Sequence, residues 1–364
     1  MNLTHPAAVS TNLASPTPDP AHAHRHTHPT DGSCPTHGLA QQSLLLAAIG
    51  LLSLPAASVL AATALPSGGV VTAGSATISQ TGSSMRIDQT SAKAVIDWRS
   101  FNVGSDAAVR FQQPSASAIV LNRVGADGGR SVIDGRLSAN GQVWLLNPGG
   151  VLFGPTARVD VGGLLAASLR LGNDDFMSGN YRFTKESSGS IVNQGTLTAA
   201  DGGYIALLAP EVRNEGIIAA RLGTVALASG EELRVDFSGD RLIEIRVDRA
   251  DVAGLIDNRN LVAADGGWVL MSTDAAGRLA NGAINNSGIV RATTLSEHQG
   301  VIKLLGGAVK VAGTLDASAP SGGDGGFIET SGHSVKVDSS TRVTTAAAYG
   351  KTGNWLIDPN DYTI

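Results

Sequence analysis

The sequence predicts an all-β protein, a right-handed parallel β-helix with an N-terminal cap and a projecting β-hairpin, and three observations carry that expectation. Apolar residues make up 42% of the 364 positions but aromatic ones only 4%, with 45 glycines, which suits a thin core of small and β-branched side chains. From Leu65 onward the chain reads as short apolar or alternating runs, such as KAVIDW at 93–98 and QVWLLN at 142–147, separated by glycine and asparagine. A weak repeat with a period of roughly 21 to 28 residues runs through the second half. Parallel strands joined by crossovers in one sheet connect with a right hand.

Residues 1–64 read as a polar leader and signal peptide that is removed. The run LLLAAIGLLSL at 44–54 has the length of a signal h-region and falls short of the roughly 20 apolar residues a membrane span needs. Pro55 breaks it, and in the following AASVLAATA the pair Ala62 and Ala64 satisfies a small-x-small cleavage pattern. The expected cut lies after Ala64, with cuts after Ala61 or Ala62 as alternatives. The leader has one basic residue, Arg25, so its positive segment is weak. His22, His24, His26 and His28 alternate within it, either as metal ligands or as part of a polar tract that cleavage discards.

Cys34, the sole cysteine, also lies in the leader, so no disulfide holds the 65–364 domain. Loss of Arg25, Asp19 and Asp31 moves the formal net charge only from −5 to −4. The basic residues that remain are scattered singly, which leaves no nucleic-acid footprint.

In the repeat a polar Asn or Gly turn precedes two apolar residues: NQGTL at 193–197, NEGII at 214–218, NRNLV at 258–262, NSGIV at 286–290 and VAGTL at 311–315. Intervals of 21, 44, 28 and 25 separate them, and 44 reads as two turns of 22. Such a period, with three short strands per unit, is what a parallel β-helix requires, because each coil buries its inward residues only against the coils above and below. The segment EELRVDFSGDRLIEIRVD at 231–248 breaks the rhythm and reads as a hairpin turning at Ser238-Gly239-Asp240. It accounts for part of the doubled interval. ADGG recurs at 200–203 and 264–267; its Asp201 and Asp265 serve either in plain Asx-type turns or as calcium ligands.

The most informative stretch is SANGQVWLLNPGGVLFGPTARVDVGGLLAAS at 138–168. Asn147-Pro148-Gly149-Gly150 reads as a tight turn, with Pro148 setting φ at its second position and Gly149 accepting a positive φ at its third, before Val151 starts the next strand. In order with it stand GSATISQTGSSMRIDQTSAKAVIDWRSFNVG at 74–104, FQQPSASAIVLNRV at 111–124 and NQGTLTAADGGYIALLAPEVRNEGII at 193–218. Together these blocks resemble the N-terminal domain of the filamentous-haemagglutinin family, the secretion module of two-partner-secretion exoproteins, over nearly all of 65–364. The family pattern at the turn is Asn-Pro-Asn-Gly followed by an aliphatic residue. Asn147, Pro148, Gly150 and Val151 match it, whereas Gly149 replaces the second asparagine and removes a side-chain amide.

The resemblance implies that 147–151 matters for secretion, as a turn, as a recognition element, or as both. It marks Trp98, Phe101 and Asn102 as a second conserved block, read either as core packing or as partner contact. It further implies a chain taken across the inner membrane by the Sec translocase and then recognised by an outer-membrane Omp85-like transporter with polypeptide-transport-associated domains. The product is then secreted or held at the cell surface, an adhesin-like virulence factor whose β-helix is nucleated outside the cell. No cofactor is expected.

The alternative is a secreted polysaccharide-active β-helix enzyme, which needs convergent carboxylates and sugar-stacking aromatics. The sequence announces no such cluster, nor H-E-x-x-H, G-x-S-x-G or Walker A, so no catalytic residue is assigned and no enzyme is expected. A host-cell receptor would be met only through sequence beyond Ile364. The expectation is of a longer exoprotein, since WLIDPNDYTI leaves an apolar coil end unless neighbouring strands fold over it.

Overall fold

The computed structural model describes residues 61–237, 243–273 and 282–359. The leader with its 44–54 run, its histidines and Cys34, the hairpin tip Ser238–Asp240 and the final Tyr362–Ile364 lie outside the described residues. Within them the chain winds as a parallel β-helix of three faces.

The first face runs from Lys93–Trp98 through Ile119–Val124, Gln142–Leu146, Gly163–Ala167, Tyr204–Leu208 and Thr224–Ala228 to Trp268–Ser272. The second stacks Ser131–Ile133, Val151–Phe153, Ile191–Asn193, Glu211–Asn214, Leu255–Asn258 and Ala283–Asn286. Both merge in the long strands Val301–Val311 and Phe327–Val337. The third face is an 11-stranded sheet, parallel from Ser84–Gln89 to Arg342–Thr344. Antiparallel strands Val70–Ala73 and Ala76–Thr81 lie on the first coil and form the N-terminal cap.

Period-2 alternation on the third face sends Leu137, Val159, Leu197, Ile218, Val262 and Val290 inward, where they meet the core residues of the other two faces. The repeat asparagines are not exposed turn residues. Asn193, Asn214, Asn258 and Asn286 are buried at successive rungs of the second face, each Nδ2 donating to the next Oδ1 at 2.8, 2.8 and 2.7 Å. Stacking at one rung spacing lets identical amides satisfy each other inside an apolar core. Val311 occupies the next position and ends the ladder, leaving Asn286 Nδ2 without a partner among the described residues. At Asn193, Asn214 and Asn286 the residue two on is a glycine, placed where successive backbones nearly touch: a Cβ on Gly216 would stand 2.2 Å from the Gly195 carbonyl oxygen.

Asn214 lies directly opposite Asn258, so the 44-residue interval is one coil and not two turns of 22. Its surplus is the hairpin of Glu232–Phe237 and Ile243–Arg249. This hairpin leaves the coil and folds down over the first face, where Glu232–Phe237 pairs with Tyr181–Thr184 from a second insertion between Ala167 and Ile191. Beneath the resulting three-stranded sheet lies a second core containing Trp144, Tyr204, Phe176, Phe183, Leu233 and Val235. Lys93 donates to the carbonyls of Phe176 and Met177 at 3.0 and 3.2 Å, closing the C-terminus of the short helix Asn173–Ser178.

Candidate functional site

Asn147 sits at the corner between the first and second faces and makes the 147–151 turn from its own side chain and backbone. Its carbonyl accepts from Gly150 N at 2.8 Å and its Oδ1 from Gly149 N at 2.8 Å, a β-turn reinforced by an Asx turn. Its Nδ2 donates to the Gly129 carbonyl at 2.9 Å and to Ser131 Oγ at 2.8 Å, so a side chain only 1% exposed pins the turn to the preceding coil. The positive φ falls on Gly150, at +90°, and not on Gly149 as the sequence suggested. Gly149 is needed for closeness: a Cβ there would lie 2.7 Å from the Gly129 carbonyl oxygen. Only Pro148 and Gly149 reach solvent, while Gly150 and Val151 are buried in the second face.

Trp98 and Phe101 are inside, 3% and 1% exposed, their rings edge-to-face at 5.5 Å. Trp98 Nε1 donates to the buried Asn122 Oδ1 at 3.0 Å, and Asn122 donates on to the Trp144 carbonyl at 3.2 Å. Asn102 Oδ1 accepts from Val132 N at 2.8 Å. The strand Ser131–Ile133 is therefore gripped by Asn102 at Val132 and by Asn147 at Ser131, which joins the two sequence blocks through three residues. Sequence reasoning missed Gly129, Ser131 and Ser187, whose hydroxyl donates to the Pro148 carbonyl. No motif marks them, because their role comes from coil stacking and from an insertion outside the repeat.

Pro148 borders a groove of about 420 Å³ that lies over the buried residues Trp98, Val124, Leu146 and Leu169. Two ion pairs wall it. Arg123 holds Asp97 in a fork at 2.8 and 2.9 Å, and Arg170 meets Glu186 at 2.7 Å. Beside the turn Arg130 reaches the Val151 carbonyl at 3.4 Å; desolvation lowers its pKa from the ordinary arginine value, with Glu211 opposing.

The two ADGG aspartates are committed to arginines. Asp201 pairs with Arg221, and Asp265 accepts from Arg291 Nη2 at 2.7 Å and from Thr293 Oγ1 at 2.8 Å. Burial pushes the Asp265 carboxyl up, but those hydrogen bonds outweigh it and hold the group below the usual carboxylate value. At the other end of the domain the Ala62 carbonyl accepts from Asp106 N at 2.8 Å and the Ala64 carbonyl from Gly104 N at 2.9 Å, so the expected cleavage region is bound to the first coil.

A family model for the TPS secretion domain matches residues 62–318. Over 211 residues the chain is 34% identical to the heme/hemopexin-binding protein of Haemophilus influenzae strain Rd, covering 55% of this chain and 23% of that protein. A second heme/hemopexin-binding protein from Haemophilus influenzae is 43% identical over 115 residues, 31% of this chain and 12% of its own length. The chain thus spans about a quarter or less of the curated relatives it matches. Among solved structures, the HMW1 secretion domain from Haemophilus influenzae superposes with a TM-score of 0.60 at 22% identity, covering 80% of this chain and all of that one. That likeness supports the fold alone. Domains of this family belong to exported proteins, secreted or displayed at the cell surface, that depend on an outer-membrane transporter, and nothing found favours the enzyme alternative. The family match runs over well more than half of the sequence, and the chain belongs to the TPS secretion domain family.

Proposed function

We propose that the outer-membrane transporter recognises the chain at the turn 147–151 and the groove beside Pro148. The transporter is read as an Omp85-like barrel with polypeptide-transport-associated domains, reached after Sec export and removal of the leader. The observation that carries this reading is the grip of Asn147 on Gly129 and Ser131, which fixes a two-residue outward tip, Pro148-Gly149, beside a groove walled by two ion pairs. The Trp98, Phe101 and Asn102 block supports the same region from within, two as core and one as a backbone acceptor. Folding outside the cell then proceeds by rungs from the capped N-terminal coils.

Replacing Asn147 and Pro148 together by alanine tests it. Extracellular release is expected to fall at least tenfold while precursor or its fragments collect in the periplasm. The purified variant, refolded, should keep its β-type circular dichroism. Release at the normal yield would reduce 147–151 to a replaceable turn. The mass of the released N-terminus tests processing: a cut after Ala64 removes the carbonyls of Ala62 and Ala64 from their partners, and a cut after Ala61 keeps both.

A further inference from the structure

The outer side of the third face carries four arginines on its first coils, three of which meet no carboxylate among the described residues. On consecutive rungs of its first coils Arg86 lies directly opposite Arg110, and Arg136 directly opposite Arg158. All four are exposed. Arg86 is tied to Asp88 at 2.7 Å, but among the described residues Arg110, Arg136 and Arg158 make no side-chain hydrogen bond or ion pair. Most arginines elsewhere are paired, among them Arg123, Arg170, Arg213, Arg249, Arg259 and Arg291, each of which meets a carboxylate. Like charges directly across a ladder are unfavourable, and nothing in the fold requires arginine at these outward positions. In a chain of net charge −5 the patch is also against the overall sign.

The four guanidiniums line one groove of about 640 Å³ whose other lining includes the hydroxyls of Ser79, Thr81, Ser84 and Ser138, with Asp160 at its far end. Register fixes their layout. Within a column the arginines are one rung apart, about 4.8 Å, and the two columns are two residues apart along the strands, roughly 7 Å. A carboxylate is used up by a single guanidinium fork. A phosphate offers three peripheral oxygens and accepts forks from more than one arginine, with serine and threonine hydroxyls as further donors.

We infer that this groove is a binding site for a polyphosphorylated ligand, neutralising Arg110, Arg136 and Arg158 at once. A phosphorylated lipid headgroup and a soluble oligophosphate share that chemistry. The site is separate from the turn at 147–151.

Calorimetric titration of the purified chain with tripolyphosphate, and co-sedimentation with phosphatidylcholine vesicles with and without phosphatidic acid, test the inference. Expected is binding to one or both probes that weakens at least tenfold in R110S/R136S/R158S and steeply with salt. R246S, which removes an exposed arginine on the covering hairpin, should leave it unchanged. Binding to tripolyphosphate assigns a soluble source, and binding to the phosphatidic acid vesicles alone assigns a membrane headgroup. The triple variant, exposed at all three positions, is expected to keep the parent's circular dichroism and to be released from cells at the parent's yield, which separates this site from transporter recognition. Absence of binding to both probes overturns the inference, as does binding that persists in the triple variant. Hexaglutamate bound as tightly as tripolyphosphate would overturn the phosphate assignment in favour of an acidic polypeptide.

Discussion

The first and third faces of the helix are laid on the same coils, yet their outer sides have opposite fates. Gly163–Ala167, Tyr204–Leu208 and Thr224–Ala228 are buried at every residue, because the three-stranded sheet lies over them. Arg158–Val161 and Ile217–Ala220 alternate between buried residues and exposed or half-buried ones, because none of the described residues covers them. Where the cover ends, the first face changes too: Thr224 is 3% exposed, and its neighbour one rung on, Trp268, is 42% exposed. A strand's place in the coil fixes its inner side only. Its outer side depends on what another part of the chain lays upon it.

Trp144 gives the sharpest test of that comparison. It is wholly buried under the covering sheet, within 4.8 to 6.1 Å of the rings of Phe176, Tyr181, Phe183 and Phe237, and its Nε1 donates to Tyr204 Oη at 2.7 Å. Removing it leaves both a cavity and a buried hydroxyl short of a donor. Trp144→Ala should cost about 3–5 kcal/mol in denaturant unfolding and strip hydrogen-exchange protection from Tyr181–Thr184 first. Equal cost for Arg158→Ala, on the bare face, would break the comparison.

The asparagine ladder belongs to neither outer side and should behave alike whatever covers the coil. Asn214→Leu removes an acceptor from Asn193 and a donor from Asn258, and a cost of roughly 1–3 kcal/mol follows from each buried amide left short. Asn286, whose Nδ2 already lacks a partner among the described residues, should be the least costly rung to replace by leucine. A flat series of equal losses would contradict the directional ladder.

These contrasts mark what was legible in the sequence. Alternating runs and the asparagine repeat were enough to show short strands and most coil lengths, since both reflect short-range register, but not the 44-residue coil, which read as two turns of 22. YIALL and TVALA showed continuous apolarity, the signature of strands buried on two sides, but not what buried the second side. The insertion at 168–190 has no periodicity of its own, and its pairing with a hairpin some 50 residues later is written in no local pattern. At the turn, Pro148 was readable from turn chemistry, whereas the positive φ was expected at Gly149 and falls on Gly150. The grip of Asn147 on Gly129 and Ser131 was not, because it joins coils that only stacking brings together.

Acid should act on the edge of the bare face through Asp265. Its folded-state pKa lies below the unfolded value of about 3.9, so its contribution is fully present above that pH and is lost as pH falls through the folded value. Half-exposed as the pair is, the contribution is about 1 kcal/mol or less. The stability gap between the parent and Asp265→Asn should therefore be constant from neutral pH down to about 4 and close below it. A gap that widened on acidification would mean that Asp265 is held protonated instead.

The smallest effect belongs to Ile217, and it is the most direct test of the bare third face. Ile217, Leu261 and Ile289 stand in register on its outer side, with Ile217 39% and Ile289 45% exposed. Much of their apolar surface is in water already, so converting one to serine gives up little transfer free energy, and the lost β-branch adds only a small strand-propensity cost. Ile217→Ser should shift stability by no more than about 0.5 kcal/mol. One residue along, Ile218 is wholly buried among Leu197, Val262 and the core, and Ile218→Ala should cost about 2–5 kcal/mol. The ratio of the two measures, in one strand, how completely burial follows the side of the sheet. If Ile217→Ser cost as much as Ile218→Ala, this face would have a cover of its own in solution, and the column Ile217, Leu261 and Ile289 would mark where it lies.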